Sequence, residues 1–208
     1  MAPASRRRRT GERRVTARDA GRVIAGVARG IRLEAPGPDT RPMADRVKQT
    51  LFAILDPDLP GARVLDLFAG SGAAGLEALS RGAAHATFVE RSAGAAAIIA
   101  TNLARTHLGG PRAQIVRAEA LAWLARPEGA GVSPGPFDIV ILDPPYAEIA
   151  LLTAALEALG PHLAPDARVV AKHFWRDPPP TTIGLLASER ERRFGETTLT
   201  FFRRQEDR

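Results

Sequence analysis

Asp143-Pro144-Pro145-Tyr146 follows the apolar run Ile139-Val140-Ile141-Leu142, so an acid, two prolines and an aromatic ring meet where a buried strand ends. Such a group can hold a flat, amine-bearing base at a fixed angle. Proline restricts the backbone and carries no N–H, which leaves carbonyl oxygens to accept from an amine. Tyr146 offers a face for stacking, and Asp143 offers an acceptor for N–H. An ordinary strand end followed by a proline turn would have the same composition, so other residues must decide.

A second motif lies upstream. Val64-Leu65-Asp66-Leu67-Phe68 has the pattern of a strand, Ala69-Gly70-Ser71-Gly72 is the loop after it, and Leu76 and Leu79 mark a following helix. Small residues there let a ligand approach the backbone and free the N–H groups at a helix start. The loop lacks G-x-G-x-x-G and is preceded by the carboxylate of Asp66. That acid would serve a pyrophosphate poorly. A ligand bearing both an amino group and a carboxylate, such as the methionine part of S-adenosylmethionine, is better matched. The loop amides would meet its carboxylate, with Asp66 on the cationic side. Glu90 closes the next strand, 24 residues after Asp66, where an acid can accept from ribose hydroxyls. Glu119, after a third strand, is placed to reach an adenine edge. Phe68, Arg91 and Ala120 flank these positions and complete the candidate cofactor set. Any one of these acids alone could be an exposed cap or strand end.

The elements that must position these groups follow a strand–helix rhythm. Strand-like runs are Arg63–Phe68, Ala86–Glu90, Gln114–Arg117, Ile139–Asp143 and Arg168–His173, with helical segments at 73–81, 92–106, 119–125 and 148–160. Alternation of this kind specifies an α/β fold, a parallel sheet covered by helices on both faces. Ser188–Phe194 and Thr197–Arg203 flank Gly195 and predict an antiparallel hairpin, for seven strands in all. At the other end, Arg22–Gly26 and Gly30–Glu34 predict a small β-hairpin. A helix starts at Asp45. Val47, Thr50, Leu51, Ile54 and Leu55 share one face, Arg46, Lys48 and Gln49 face elsewhere, and Asp56-Pro57 ends it. Three regions are expected: a disordered basic tail over 1–21, the hairpin and helix over 22–60, and the main α/β domain over 61–208.

Composition sets outer bounds. No run of 18 apolar residues occurs, so no membrane span is expected, and Met1–Arg14 lacks the apolar stretch of a secretory signal. The absence of cysteine excludes disulfides and thiol nucleophiles and fits a reducing, cytoplasmic setting. His85, His107, His162 and His173 have no ligand-like spacing, so no metal is expected. Residues 1–22 hold eight arginines against Glu12 and Asp19, which accounts for the whole net charge of +6. A basic arm of this kind is attracted to phosphate, although it is equally a plain solvated tail. Of the 29 basic residues all but Lys48 and Lys172 are arginine, a bias that GC-rich coding also produces.

With these motifs in place, the chain after residue 21 resembles the bacterial methyltransferases that modify the exocyclic N2 of a guanine in 16S ribosomal RNA. The resemblance rests on Arg22–Gly26 with Arg29-Gly30, Arg41-Pro42 followed by Asp45–Lys48 and Leu51-Phe52, Asp66 to Gly82, Asp143–Tyr146, and Phe194–Thr197. The loop and the Asp-Pro-Pro-Tyr tetrapeptide are shared by many amino-methyltransferases, so they specify chemistry only. Segments 41–55 and 66–82 carry the link to ribosomal RNA. Three positions depart from the family pattern. Met43 replaces a small hydroxyl residue, Ala25 replaces one of two glycines, and Lys172 stands where a glutamate is frequent.

The resemblance implies a Rossmann-like class I methyltransferase fold. It also implies S-adenosylmethionine as cofactor and 16S rRNA or a small-subunit particle as partner; a monomer is the simpler expectation. Asp143, Pro144, Pro145 and Tyr146 would then hold the target base. RNA contacts would fall on Arg22, Arg29 and Arg32 of the hairpin and on Arg41, Arg46 and Lys48 around the first helix. Two rival functions stay open from sequence: an N6-adenine methyltransferase using the same tetrapeptide, and an inactive RNA-binding assembly factor.

Overall fold

Val64–Asp66, Ala86–Val89 and Ile139–Leu142 are buried at every position, the condition of strands covered on both faces. In the computed structural model, which describes residues 19–37, 43–126, 136–145 and 148–205, these runs form the middle of one sheet. Its strands are β3 (Arg63–Asp66), β4 (His85–Glu90), β5 (Ala113–Arg117), β6 (Phe137–Leu142), β7 (Leu163–Phe174), β8 (Thr182–Ile183), β9 (Leu186–Phe194) and β10 (Thr197–Arg204). A separate pair, β1 (Asp19–Arg22) and β2 (Arg32–Glu34), precedes them.

The order across the large sheet is β5-β4-β3-β6-β7-β10-β9-β8. Strands β3 to β7 run parallel, and β8, β9 and β10 are antiparallel to their neighbours. From β3 the chain moves outward to β5, then returns to β6 on the other side. The switch therefore lies between β3 and β6, where open α/β sheets bind ligands.

Among the described residues five helices accompany the strands: α1 (Asp45–Leu55), α2 (Ala73–Ser80), α3 (Ala93–Thr106), α4 (Ala120–Leu124) and α5 (Ile149–Ala158). Two cores result. One joins β1, β2, α1, α2 and α3 to one sheet face through Val23, Leu33, Phe52, Leu76, Phe88 and Ile99. The other packs α4 and α5 on the opposite face through Trp123, Leu152, Leu156 and Phe137. No helix among the described residues is long and apolar enough to cross a membrane.

Three expectations need correction. The sheet has eight strands among the described residues rather than seven, because Thr182–Ile183 adds an edge strand too short to leave a periodic signal. The hairpin arms are Asp19–Arg22 and Arg32–Glu34, so ordered strand begins inside the segment expected to be a disordered tail. Residues 23–31 are not continuous strand. Val23 still bonds across the hairpin, donating to the Ile31 carbonyl and accepting from the Gly30 N–H, but N–H groups in between turn toward α2: Ile24 and Ala25 donate to Glu77 at 2.7 and 3.0 Å, Val27 to the Ser80 carbonyl at 2.9 Å, and Ala28 to Ser80 Oγ at 3.0 Å. Gly26 is required here, since it has φ +80° and a Cβ would lie 1.8 Å from the Ser80 carbonyl oxygen. Third, Lys48 does not face outward on α1. It is 1% exposed.

Candidate active site

Four strand ends converge on the carboxyl rim beside the switch point. The first is Asp66, the last residue of β3. It is 2% exposed, and its Oδ2 accepts from the Gly75 N–H at 3.0 Å. Burial pushes its carboxyl up to about 7, and the nearby Asp143 and Glu90 charges add to this against the Gly75 bond. Gly75 is itself fixed by packing, because a Cβ there would lie 2.3 Å from Phe88.

The loop from Ala69 to Gly72 turns through left-handed conformations at Gly70 (φ +54°) and Gly72 (φ +77°). Its amides are more committed than the sequence suggested. Gly70 donates to Glu90 Oε2 at 2.9 Å, Gly72 to the Ala69 carbonyl at 2.6 Å, and Gly75 to Asp66. Glu90, at the end of β4, thus receives Gly70 on one oxygen and the Ser92 N–H on the other at 2.7 Å. Each carboxylate oxygen keeps further lone-pair capacity. Glu119 follows β5, and Arg91 lies 3.9 Å from it, both largely exposed.

Asp143 follows β6, with its side chain 20% exposed. The Lys172 ammonium donates to Asp143 Oδ1 at 2.5 Å. Burial raises the Asp143 carboxyl above its ordinary range, and the cation and hydrogen bond of Lys172 oppose that rise. Pro144 is buried and Pro145 exposed. Tyr146 and Arg41 lie outside the described residues.

These groups share one cavity of about 580 Å³. Asp66, Phe68, Ala69, Gly70, Ser71, Glu90, Arg91, Glu119, Ala120, Asp143, Pro144 and Pro145 all line it, and Gly72 does not. Met43 and Lys48 close it from the N-terminal extension, and Lys172 from β7. Arg22, Arg29, Arg32 and Arg46 are exposed and stand away from the cavity wall. Among the described residues no cluster of His, Asp or Glu could hold a metal.

Sequence reasoning missed the positions of both lysines in the chain. Lys48 donates to the Arg22 carbonyl at 2.5 Å and lies 3.9 Å from Glu77, which is fully buried. Its burial lowers its proton affinity, and Glu77 works against that. It is thus a strut between the hairpin and α2 rather than an outward cation. Lys172 is 8% exposed. A signal was available for both. A chain that uses arginine nearly everywhere retains lysine at two places, each needing a compact charge on a long stem in a tight site.

Comparison with known proteins agrees with this architecture. The family model described as "Conserved hypothetical protein 95" matches residues 21–203. Ribosomal RNA small subunit methyltransferase D of Escherichia coli (strain K12) is 36% identical over 187 residues, spanning 88% of this chain and 90% of that protein. The solved structure of yhhF from Escherichia coli superposes with a TM-score of 0.76 at 35% identity, covering 88% of this chain and 97% of that one. TrmN from Thermus thermophilus has the same fold at 21% identity, with a TM-score of 0.60 over 76% of this chain and 48% of that one.

Proposed function

The chain belongs to the Conserved hypothetical protein 95 family, and from that membership and the rim geometry we propose that it methylates the exocyclic N2 of a guanine in small-subunit ribosomal RNA, with S-adenosylmethionine as donor. The observation that carries this reading is a single cavity. The Asp66–Glu90 acids line one part of it and the Asp143-Pro144-Pro145 strand end another, so a donor and an acceptor would touch.

The residues present fit the cofactor. Asp66 is a buried acid whose charge lacks a cation, which a cationic amino acid group would supply. Glu90 is held rigidly by two backbone N–H groups and retains acceptor capacity for ribose hydroxyls. Glu119 and Ala120 line the same cavity and would face the adenine. When bound, S-adenosylmethionine would supply an electrophilic sulfonium methyl, to which the acceptor nitrogen would bond as the sulfur–methyl bond breaks and S-adenosylhomocysteine leaves.

The chain's own residues address the weakness of the acceptor. An exocyclic amine on guanine is a poor nucleophile because its lone pair is delocalised into the ring. Asp143 Oδ1 is taken by Lys172, which leaves Oδ2 to accept one N–H of the amine. The Pro144 carbonyl accepts the other, and the two acceptors together aim the lone pair. Asp143 then takes the surplus proton directly or passes it to water. Lys172 acts as a positioning residue whose cation favours the ionised form of Asp143 against its burial and whose hydrogen bond fixes its rotamer. Tyr146 stacks on the extruded base. Most of the rate gain comes from orientation. The exposed Arg22, Arg29, Arg32 and Arg46 of the extension contribute RNA phosphate contacts.

Incubating the protein with tritiated S-adenosylmethionine and either naked small-subunit rRNA or subunit particles, then mapping the labelled nucleoside by mass spectrometry, tests the reading. Label on guanine N2 is expected. Label on adenine N6, or none with either substrate, overturns it.

A further inference from the structure

Beyond the N-terminal extension, we infer a second RNA-contacting surface on the C-terminal hairpin, formed by Arg190 and Arg192 of β9; this rests on the rRNA substrate proposed above.

The register of the sheet supplies the first argument. Leu142 of β6 pairs with Ala171 of β7, which sets Asp143 beside Lys172. Lys172 pairs with Leu199 of β10, and Leu199 pairs with Arg192 of β9. Asp143, Lys172, Leu199 and Arg192 therefore form one row across the sheet. At about 4.8 Å per strand, Arg192 stands roughly 10 Å from Lys172 along that row. Arg190 pairs with Phe201, two residues along from Leu199. Leu199 and Phe201 belong to the core that contains α1, so both arginines lie on the sheet face that α1 covers, the face from which Met43 and Lys48 line the cavity.

The second argument is charge. Arg190 and Arg192 are exposed, and neither forms an ion pair among the described residues. The acids that could neutralise them are directed elsewhere. Glu189 is held by Arg168 at 3.4 Å and Arg203 at 2.8 Å. Glu191 alternates onto the opposite face and accepts from Thr200 at 3.2 Å. Arg192 spends one donor on the Glu191 carbonyl at 2.9 Å and keeps the rest of its fork. Arg193 is different. Its guanidinium sits 3.8 Å from the Trp175 ring centre and its Nε donates to the Gly195 carbonyl, so it stiffens the hairpin tip. Two guanidinium forks without ion-pair partners, Arg192 in the row of the acceptor carboxylate and Arg190 level with Val170, two residues further from the rim, suit successive phosphates beside an extruded nucleotide.

The test is the double variant Arg190→Gln/Arg192→Gln, compared with each single variant and with Arg126→Gln, an exposed arginine just after α4, as the control for loss of one charge. Binding of a fluorescein-labelled small-subunit rRNA fragment is followed by anisotropy over a salt series, alongside methyl transfer. The double variant should bind at least tenfold more weakly, and its log Kd against log salt slope should fall by about 1.4–1.8. RNA KM should rise with kcat within about twofold, and calorimetric cofactor affinity should be unchanged. Arg190→Lys/Arg192→Lys should retain most of the slope. Wild-type Kd and slope in the double variant overturn the inference. If wild-type protein binds RNA through these arginines but transfers no methyl group, the enzymatic reading falls and this surface stands.

Discussion

At the scale of single residues, the buried Asp66 and the part-buried Asp143 are proposed to do different work because their surroundings differ. Asp66 has a hydrogen-bond donor but no cation, and its carboxyl sits at about 7. A carboxyl that ionises less readily folded than unfolded costs stability as pH rises from its ordinary value toward its folded one. The unliganded protein should therefore lose stability between pH 4 and pH 7 from this group. A cationic ligand favours the ionised form, so cofactor affinity should climb about tenfold from pH 6 to pH 8. Calorimetry over that range checks it, and a flat profile refutes the role given to Asp66. Asp143 has the cation that Asp66 lacks. Lys172→Met should raise its carboxyl further, since the opposing cation and hydrogen bond are removed. The acid limb of the pH–rate profile should then move to higher pH with the alkaline plateau largely kept. A merely structural lysine would lower the whole profile without moving the limb.

At the scale of elements, α2 is the joint between the extension and the cofactor loop. Its first turn follows the Ala69–Gly72 loop, and its last turn carries Glu77 and Ser80, which hold residues 24–28. Glu77 is fully buried and balances Lys48 and Arg81 at 3.9 and 2.8 Å. Glu77→Ala would leave the Lys48 ammonium buried without its partner. Such a change costs about 3–5 kcal/mol, to be read from urea melts. A loss under 1 kcal/mol would show the network to be dispensable. This element also marks where the sequence was legible. The largely apolar runs of β3, β4 and β6 announced themselves, as did Asp66, Glu90 and Asp143 at their ends. The extension did not. Its apolar Val23-Ile24-Ala25 run suggested strand over 22–26, whereas Glu77 on α2, about 50 residues away, captured the Ile24 and Ala25 amides. Lys48 was misplaced for the same reason, since helical periodicity sorts residues by polarity and cannot register a buried partner on another helix. Lys172 appeared only as a departure from a family pattern, because its partner across the sheet is a matter of register.

For the whole molecule, the order of strands makes the proposed chemistry local. The switch point between β3 and β6 sets Asp66 and Asp143 on neighbouring strands, so donor and acceptor need no domain closure to meet. The extension closes the cavity with Met43 and Lys48, and the antiparallel hairpin continues the same face beyond Lys172. The most direct test separates the two halves of that cavity. Asp143→Ala should bind S-adenosylmethionine within a few-fold of wild type by calorimetry, while methyl transfer to small-subunit rRNA falls by about 10²–10⁴. Turnover retained near the wild-type rate would contradict the assignment of the acceptor site to the end of β6.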